Sequence, residues 1–152
     1  MKRAWLVLLL AFLVGVGPSS YAATDLHPVD PFVPGINEDP DLSRAWQRWQ
    51  AKEIDDYVIT VRTTCFCVPR EAVRTVVRDD SVVRVTRGDH RLRAAHGWSM
   101  DELYILLREA LATADSVDVD FSPRGVPTSI AIDQDKDMAD EERYYTVSLS
   151  RL

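Results

Sequence analysis

Six short segments with alternating apolar and polar residues, split into two groups by an amphipathic stretch, constrain the fold of this chain most strongly. Alternation with a period of two is typical of strands that bury one face. Residues 57–67 show it best, because Tyr57, Ile59 and Val61 share one parity, with Thr63 as its polar exception. The other parity holds Val58, Thr60, Arg62 and Thr64. Cys65 and Cys67 fall on the apolar parity, so the pattern places both sulfurs on the buried face of this predicted strand.

Two segments have the spacing and the start signals of helices. Asp39 is a good N-cap residue and Pro40 suits the first helical position, ahead of an apolar stripe that includes Trp46 and Trp49. The second helix is predicted to start after Ser99, which forms a capping box with Glu102. Its predicted buried stripe is Leu103, Leu106, Leu107, Ala110 and Leu111.

The order of these elements predicts the fold class. Besides residues 57–67, we expect strands at 72–78, 82–86, 117–121, 130–132 and 145–149, and we interpret residues 87–97 as a basic loop. The strands of each group are joined by short connections, so neighbouring strands should pair antiparallel. We therefore predict an α+β fold in the order α-βββ-α-βββ: a curved antiparallel sheet of about six strands with two amphipathic helices packed on one face.

The first residues have the pattern of an export signal. Lys2 and Arg3 precede an apolar run, residues 4–16, which is shorter than the roughly 20 residues of a membrane-spanning helix. Small residues at Ser20 and Ala22 predict cleavage after Ala22. We expect residues 1–22 to be a signal peptide, 23–38 an extended, solvated linker or arm, and 39–152 a single domain. The mature protein should be periplasmic or secreted, with no transmembrane segment after signal removal.

The charge balance argues against one class of partner. The chain has 18 Lys and Arg against 24 Asp and Glu, a net charge of −6. Removing residues 1–22 removes Lys2 and Arg3 and no acid, which takes the net charge to −8. An acidic domain repels phosphate backbones, so we expect no nucleic-acid partner.

The only two cysteines, Cys65 and Cys67, stand one residue apart. In an oxidising compartment they can bond to each other, and a bend before Pro69 would shorten the roughly 6.6 Å that separates such positions on a flat strand. Free thiols, and a metal or redox role, are the alternatives. A redox pair is usually Cys-x-x-Cys at a helix start, which this site lacks. We expect a local, structural disulfide.

An acidic segment, residues 133–142, is the second place where chemistry could reside. Hard carboxylate oxygens suit Ca²⁺, so the candidate ligands for that ion are Asp133, Asp135, Asp137, Asp140 and Glu141. The segment is not an EF-hand loop, since Met138 stands where glycine is needed and Tyr144 where the bidentate glutamate belongs. The plainer interpretation is a solvated hairpin loop, and we expect no bound cofactor.

The same segments carry a family resemblance. Three motifs carry it, and in chain order they are Cys65-Phe66-Cys67 after a Tyr-led strand, Gly125-x-Pro127-x-x-Ile130-x-Ile132-Asp133, and Asp140-Glu141-Glu142. Together these motifs resemble the bacterial secreted family known as domain of unknown function 6174. The resemblance covers roughly residues 43–150. Phe121-Ser122 and Asp79-Asp80 depart from the family's usual Tyr-Asp and Asp-Gly. The resemblance implies an exported envelope domain and implies no reaction.

Two functions follow as hypotheses. No nucleophile motif, phosphate loop or zinc-type spacing is present, so we expect no enzyme activity. The first hypothesis is a non-catalytic module that binds an envelope protein or another envelope component through its sheet face or its loops. The second is a metal- or thiol-dependent protein that uses Cys65 and Cys67, or the acidic loop.

Overall fold

The computed structural model describes residues 26–138 and 140–152 of the chain. The predicted signal peptide and cleavage site lie outside these residues. No helix in the described part is long and apolar enough to span a bilayer. The elements, in chain order, are β1 His27–Pro28, α1 Pro40–Gln50, β2 Tyr57–Cys65, β3 Val73–Arg78, β4 Ser81–Arg87, β5 His90–Leu92, α2 Met100–Thr113, β6 Ser116–Phe121, β7 Pro127–Asp133 and β8 Arg143–Arg151.

The strands form one open, curved, antiparallel sheet, in the order β1-β4-β3-β2-β8-β7-β6, with β5 also paired to β4. Its two halves, one made by the strands before α2 and one by those after it, meet where β2 pairs with β8. Ile59 lies opposite Leu149 and Val61 opposite Val147, so apolar side chains of both strands share one face. The α+β class, the antiparallel pairing and the two helices are as predicted.

The strand count was wrong, because the described part of the chain contains eight strands rather than about six. The additional ones are β1 and β5, of two and three residues, which are too short to show an alternating pattern. Residues 87–97 were interpreted as a loop, but they contain β5 and a short 3-10 helix at Ala94–His96. Both short strands complete hydrogen bonds along the edge of β4.

Both helix starts are confirmed. The Asp39 carboxylate accepts hydrogen bonds at 2.9 Å from the backbone N–H groups of Asp41 and Leu42, which would otherwise lack partners in the first turn. Ser99 and Glu102 form the predicted capping box. The caps fix where each helix begins, and therefore which side chains face the sheet.

The core lies between the helices and one face of the sheet. Alternation and helical spacing predict ten buried side chains, of which eight are buried: Trp46, Trp49, Ile59, Val61, Leu103, Leu107, Ile132 and Val147. The other two, Val119 and Leu149, are partly buried and pack against the rest. Two positions of the predicted α2 stripe are corrected: Leu106 is only partly buried and Leu111 is 40% exposed. The buried stripe is instead Met100, Leu103, Tyr104, Leu107 and Ala110, so the face of α2 that meets the core is rotated toward Tyr104.

Tyr104 connects more parts of the core than its neighbours do. Its fully buried ring lies 4.8 Å from the Trp46 ring of α1 and 5.2 Å from Phe32, measured between centroids, and stacks on Phe121 of β6. Its hydroxyl donates a hydrogen bond of 2.5 Å to the Gly125 carbonyl oxygen. Burial raises the pKa of this phenol, so it remains a neutral hydrogen-bond donor.

The segment before α1, predicted to be an extended, solvated arm, is mostly exposed but is held to the domain at Phe32. Phe32 is buried beside Trp46 and Tyr104, and its backbone N–H donates to the Asp101 carboxylate at 2.8 Å. The Arg108 guanidinium lies 4.1 Å from the centre of the Phe32 ring. Aromatic packing and a charge-assisted hydrogen bond therefore hold this segment to α2.

Truncating Leu107, which is fully buried in α2, to alanine should lower the free energy of unfolding by about 2–5 kcal/mol through lost packing and a cavity. Leu111→Ala, one turn along the same helix, is the matched control and should change it by less than about 1 kcal/mol. Urea unfolding measures both. Equal losses at the two positions would show that the buried face of α2 has been wrongly assigned.

The Asp101 carboxyl predicts a pH effect. Burial raises its pKa above the usual 3.8, so the folded protein binds this proton more tightly than the unfolded chain does. The contribution of Asp101 to stability should therefore fall as pH rises from its unfolded pKa through the raised folded one. Asp101→Asn keeps an acceptor for Phe32 and should flatten that fall, which begins above about pH 4. Urea unfolding across this range measures the slope, with Asp118→Asn, at an exposed position, as the charge control. An unchanged slope in Asp101→Asn would contradict the argument.

Candidate functional site

The chain turns sharply at the two cysteines. Cys65 and Cys67 form a disulfide with their Cα atoms 5.1 Å apart, and the Cys67 N–H donates to the Cys65 carbonyl oxygen at 2.7 Å. A flat strand would separate the two Cα atoms by about 6.6 Å, so the expected bend is present. One expectation was wrong: β2 ends at Cys65 and does not continue to Cys67. Cys65 is consequently half-buried and Cys67 is exposed, instead of both lying on the core face.

The turn holds two large apolar side chains in solvent. Phe66 is 81% exposed and Val68 is 79% exposed. We call residues 65–68 the disulfide tip. The covalent ring through both sulfurs restricts the backbone on either side of Phe66, so its side chain projects from a short, constrained turn. Adjacent exposed large apolar groups of this kind are a feature of binding surfaces.

Sequence reasoning missed the exposure of these two side chains. The signal was present in the parity of β2, because Phe66 and Val68 follow Thr60, Arg62 and Thr64 on the solvent-facing positions. An aromatic residue continuing a polar parity indicates either the end of the strand or an exposed anchor. Here it indicates both.

The acidic loop lies beside the disulfide tip, a proximity that local sequence patterns do not predict. β2 and β8 pair along their whole length, which places Cys65 opposite Arg143, the first residue after the loop. A cleft of about 340 Å³ separates the two segments. It is lined by Cys65, Phe66, Cys67, Gln134, Asp140, Glu141, Glu142 and Arg143.

The candidate Ca²⁺ ligands are spread around this loop. Asp133 ends β7, and Asp135 is engaged within the loop, where its carboxylate accepts the Asp137 N–H at 2.9 Å and its carbonyl accepts the Met138 N–H at 3.0 Å. Across residues 26–138 and 140–152, no three histidine, cysteine, aspartate or glutamate side chains converge in a metal-binding arrangement. The loop is the hairpin connection between β7 and β8, and three of its acids, Asp140, Glu141 and Glu142, face the cleft.

The disulfide should contribute little to global stability. It closes a ring of only three residues, so a variant with Cys65→Ser and Cys67→Ser together should still fold and lose about 1–2 kcal/mol. Urea unfolding of the double variant and of the reduced wild type should agree. Mass spectrometry after alkylation under denaturing, non-reducing conditions tests the bond itself. Two alkylated thiols in the native protein would show that the cysteines are not bonded.

Comparison with known proteins gives one match. The model of a family of unknown function, DUF6174, matches residues 41–152, which include the disulfide tip, the acidic loop and all strands except β1. No curated protein and no solved structure matches the chain. The family match begins after Phe32, so it omits the segment that packs on Trp46 and Tyr104. The chain belongs to the DUF6174 family.

Proposed function

We propose that this protein is a non-catalytic interaction module that docks onto a partner protein through its disulfide tip. The observation that carries the proposal is the exposure of Phe66 and Val68 on a covalently closed turn next to an acidic cleft. The partner is a protein surface with an apolar hollow for Phe66 and basic side chains around it. The expected export would place this partner in the periplasm or outside the cell.

The apolar part of the docking energy comes from Phe66. Fully burying a phenylalanine side chain that was in water contributes about 1.5–3 kcal/mol. Interfaces typically draw most of their affinity from a few such anchors. The disulfide fixes the turn before binding, so less conformational entropy is lost when the partner closes around it.

The acidic cleft supplies the electrostatic part of the docking energy. Asp140, Glu141 and Glu142 line it, with Arg143 as the single basic residue among its lining side chains. A partner that places lysine or arginine side chains against these acids would gain charge complementarity and a faster association. The net charge of the chain, −6, adds attraction at longer range.

The alternative hypothesis, a thiol- or metal-dependent protein, makes different demands on the same residues. A thiol function would depend on the sulfurs of Cys65 and Cys67 and tolerate loss of the Phe66 ring. Docking by an apolar anchor has the opposite dependence, because serine at both cysteines leaves Phe66 in place and only loosens its backbone. Variants at positions 65, 66 and 67 therefore separate the two hypotheses.

The test uses a photoreactive benzoylphenylalanine at position 66, introduced into the full chain in the cells that produce it. We expect cross-links to one partner, at an apolar hollow bordered by lysine or arginine. Capture of that partner by the tagged protein should weaken about tenfold or more in Phe66→Ser, since an anchor is lost. The Cys65→Ser, Cys67→Ser double variant should weaken capture less.

Leu111→Ser is the matched control, since Leu111 is an exposed apolar side chain on α2, away from the tip. It should leave capture unchanged. Capture that is unaffected by Phe66→Ser would refute the proposal. Capture abolished by the double serine variant and insensitive to Phe66→Ser would instead favour a thiol function.

A further inference from the structure

The sheet face turned away from the helices, which we call the outer face, is open to solvent over much of its area. Both helices pack on the other face, where Trp49 of α1 contacts Tyr57 and the first N–H of α2 donates to the Tyr57 hydroxyl. The outer positions of β2 and β8 are mostly exposed and carry threonine, arginine, tyrosine and serine, with the buried Val58 as the apolar exception.

Four arginines share one region of this outer face. The strand register aligns Arg91, Thr86, Arg74, Thr60 and Ser148 in one row across β5, β4, β3, β2 and β8. The row alternates guanidinium and hydroxyl groups, and its two arginines are two strand spacings apart, about 10 Å. Arg62 and Arg84 lie diagonally beside Arg74, on opposite sides of the row. We call these four arginines, with Thr60 and Thr86, the arginine face.

The arginine face has no internal charge balance. All four arginines are exposed residues. The ion pairs found among the described residues join Arg44 to Asp41 and Arg108 to Glu38, and neither involves the arginine face. Asp118 and Asp120, which are acids of the outer face, lie on β6 at the far edge of the sheet. A protein of net charge −6 thus concentrates positive charge on one sheet surface.

The chemistry of this surface favours one kind of polyanion. The planar fork of arginine binds carboxylates with two parallel hydrogen bonds, and threonine hydroxyls between the forks can bond to sugar hydroxyls. A single-stranded nucleic acid would need several aromatic side chains for base stacking, whereas the outer strand positions carry one exposed aromatic, Tyr144 of β8, diagonal to Arg62. A membrane surface would need several apolar side chains to insert, and Tyr144 is again the one exposed large side chain of that kind at the outer strand positions.

We propose that the arginine face binds an acidic polysaccharide, a polymer whose carboxylates bond to the arginines while its hydroxyls bond to Thr60 and Thr86. The row across five strands gives an extended, shallow surface suited to a chain that lies across the strands. This surface is separate from the disulfide tip, which projects from the end of β2, and its function does not depend on the docking of a partner protein there.

Polygalacturonate is the probe, titrated into the full protein at low ionic strength, with neutral dextran as the uncharged polymer. We expect binding to polygalacturonate that weakens as salt rises toward 0.5 M, about where screening confines charge effects to a few ångströms. The double variant Arg74→Gln, Arg84→Gln should weaken binding about tenfold or more, since two charge-assisted contacts are lost. The affinity of the double variant Arg74→Lys, Arg84→Lys should lie between those of the wild type and the double glutamine variant, because lysine keeps the charge and loses the planar fork.

The matched control is the double variant Arg44→Gln, Arg124→Gln, which removes the same charge from α1 and from the exposed turn after β6. It should keep the wild-type affinity within about twofold, because its sites lie outside the proposed contact. Phe66→Ser should also leave polymer binding unchanged, so this proposal and the docking proposal fail separately.

Three results would overturn the proposal. They are absence of polygalacturonate binding at low salt, equal weakening in the control double variant, and tighter binding of single-stranded DNA or phosphatidylglycerol vesicles by the same arginines.

Discussion

The contacts of Tyr104 are the constraint on which the rest of the structure depends. Its ring joins the segment before α1, α1 itself and β6, and its hydroxyl reaches Gly125 in the turn between β6 and β7. Gly125 has a positive φ of 87°, and a side chain there would collide with the Ala45 carbonyl oxygen of α1. The turn can approach the helix only as glycine, and this approach lets a tyrosine on α2 bond to it.

This arrangement decides which surfaces remain open for binding. The helices and the Phe32 segment cover one face of the sheet, and aromatic side chains such as Phe32 and Trp46 are buried there in the core. The helices leave the outer face and the end of β2 uncovered. The exposed groups that could bind a ligand or a partner are therefore the arginines of the outer face and the apolar side chains of the disulfide tip. The two surfaces suit ligands of opposite charge, because the tip lies beside acids and the arginine face carries cations.

Much of the architecture could be predicted from local signals. The caps at Asp39 and Ser99 and the alternation of β2 depend on neighbouring residues alone, and they gave both helices and the main strands. The pairing of β2 with β8 depends on contacts between distant segments, so the closeness of the disulfide tip to the acidic loop could not be read from the sequence. Phe32 was missed because a single aromatic among prolines has no periodicity. The arginine face could not be predicted, because its four arginines come together only through the register of four neighbouring strands, and alternation does not specify that register.

Hydrogen exchange of the full chain, measured peptide by peptide, can test the role of the Tyr104 contacts. If Tyr104 holds the helical layer together, residues 26–38 and α2 should open in one slow step, because the Phe32 N–H is bonded to Asp101 and its ring is packed on Tyr104. The N–H groups of the disulfide tip that face solvent should exchange much faster. Exchange of residues 26–38 at the rate of an unstructured peptide, with α2 still protected, would contradict the central role given to Tyr104.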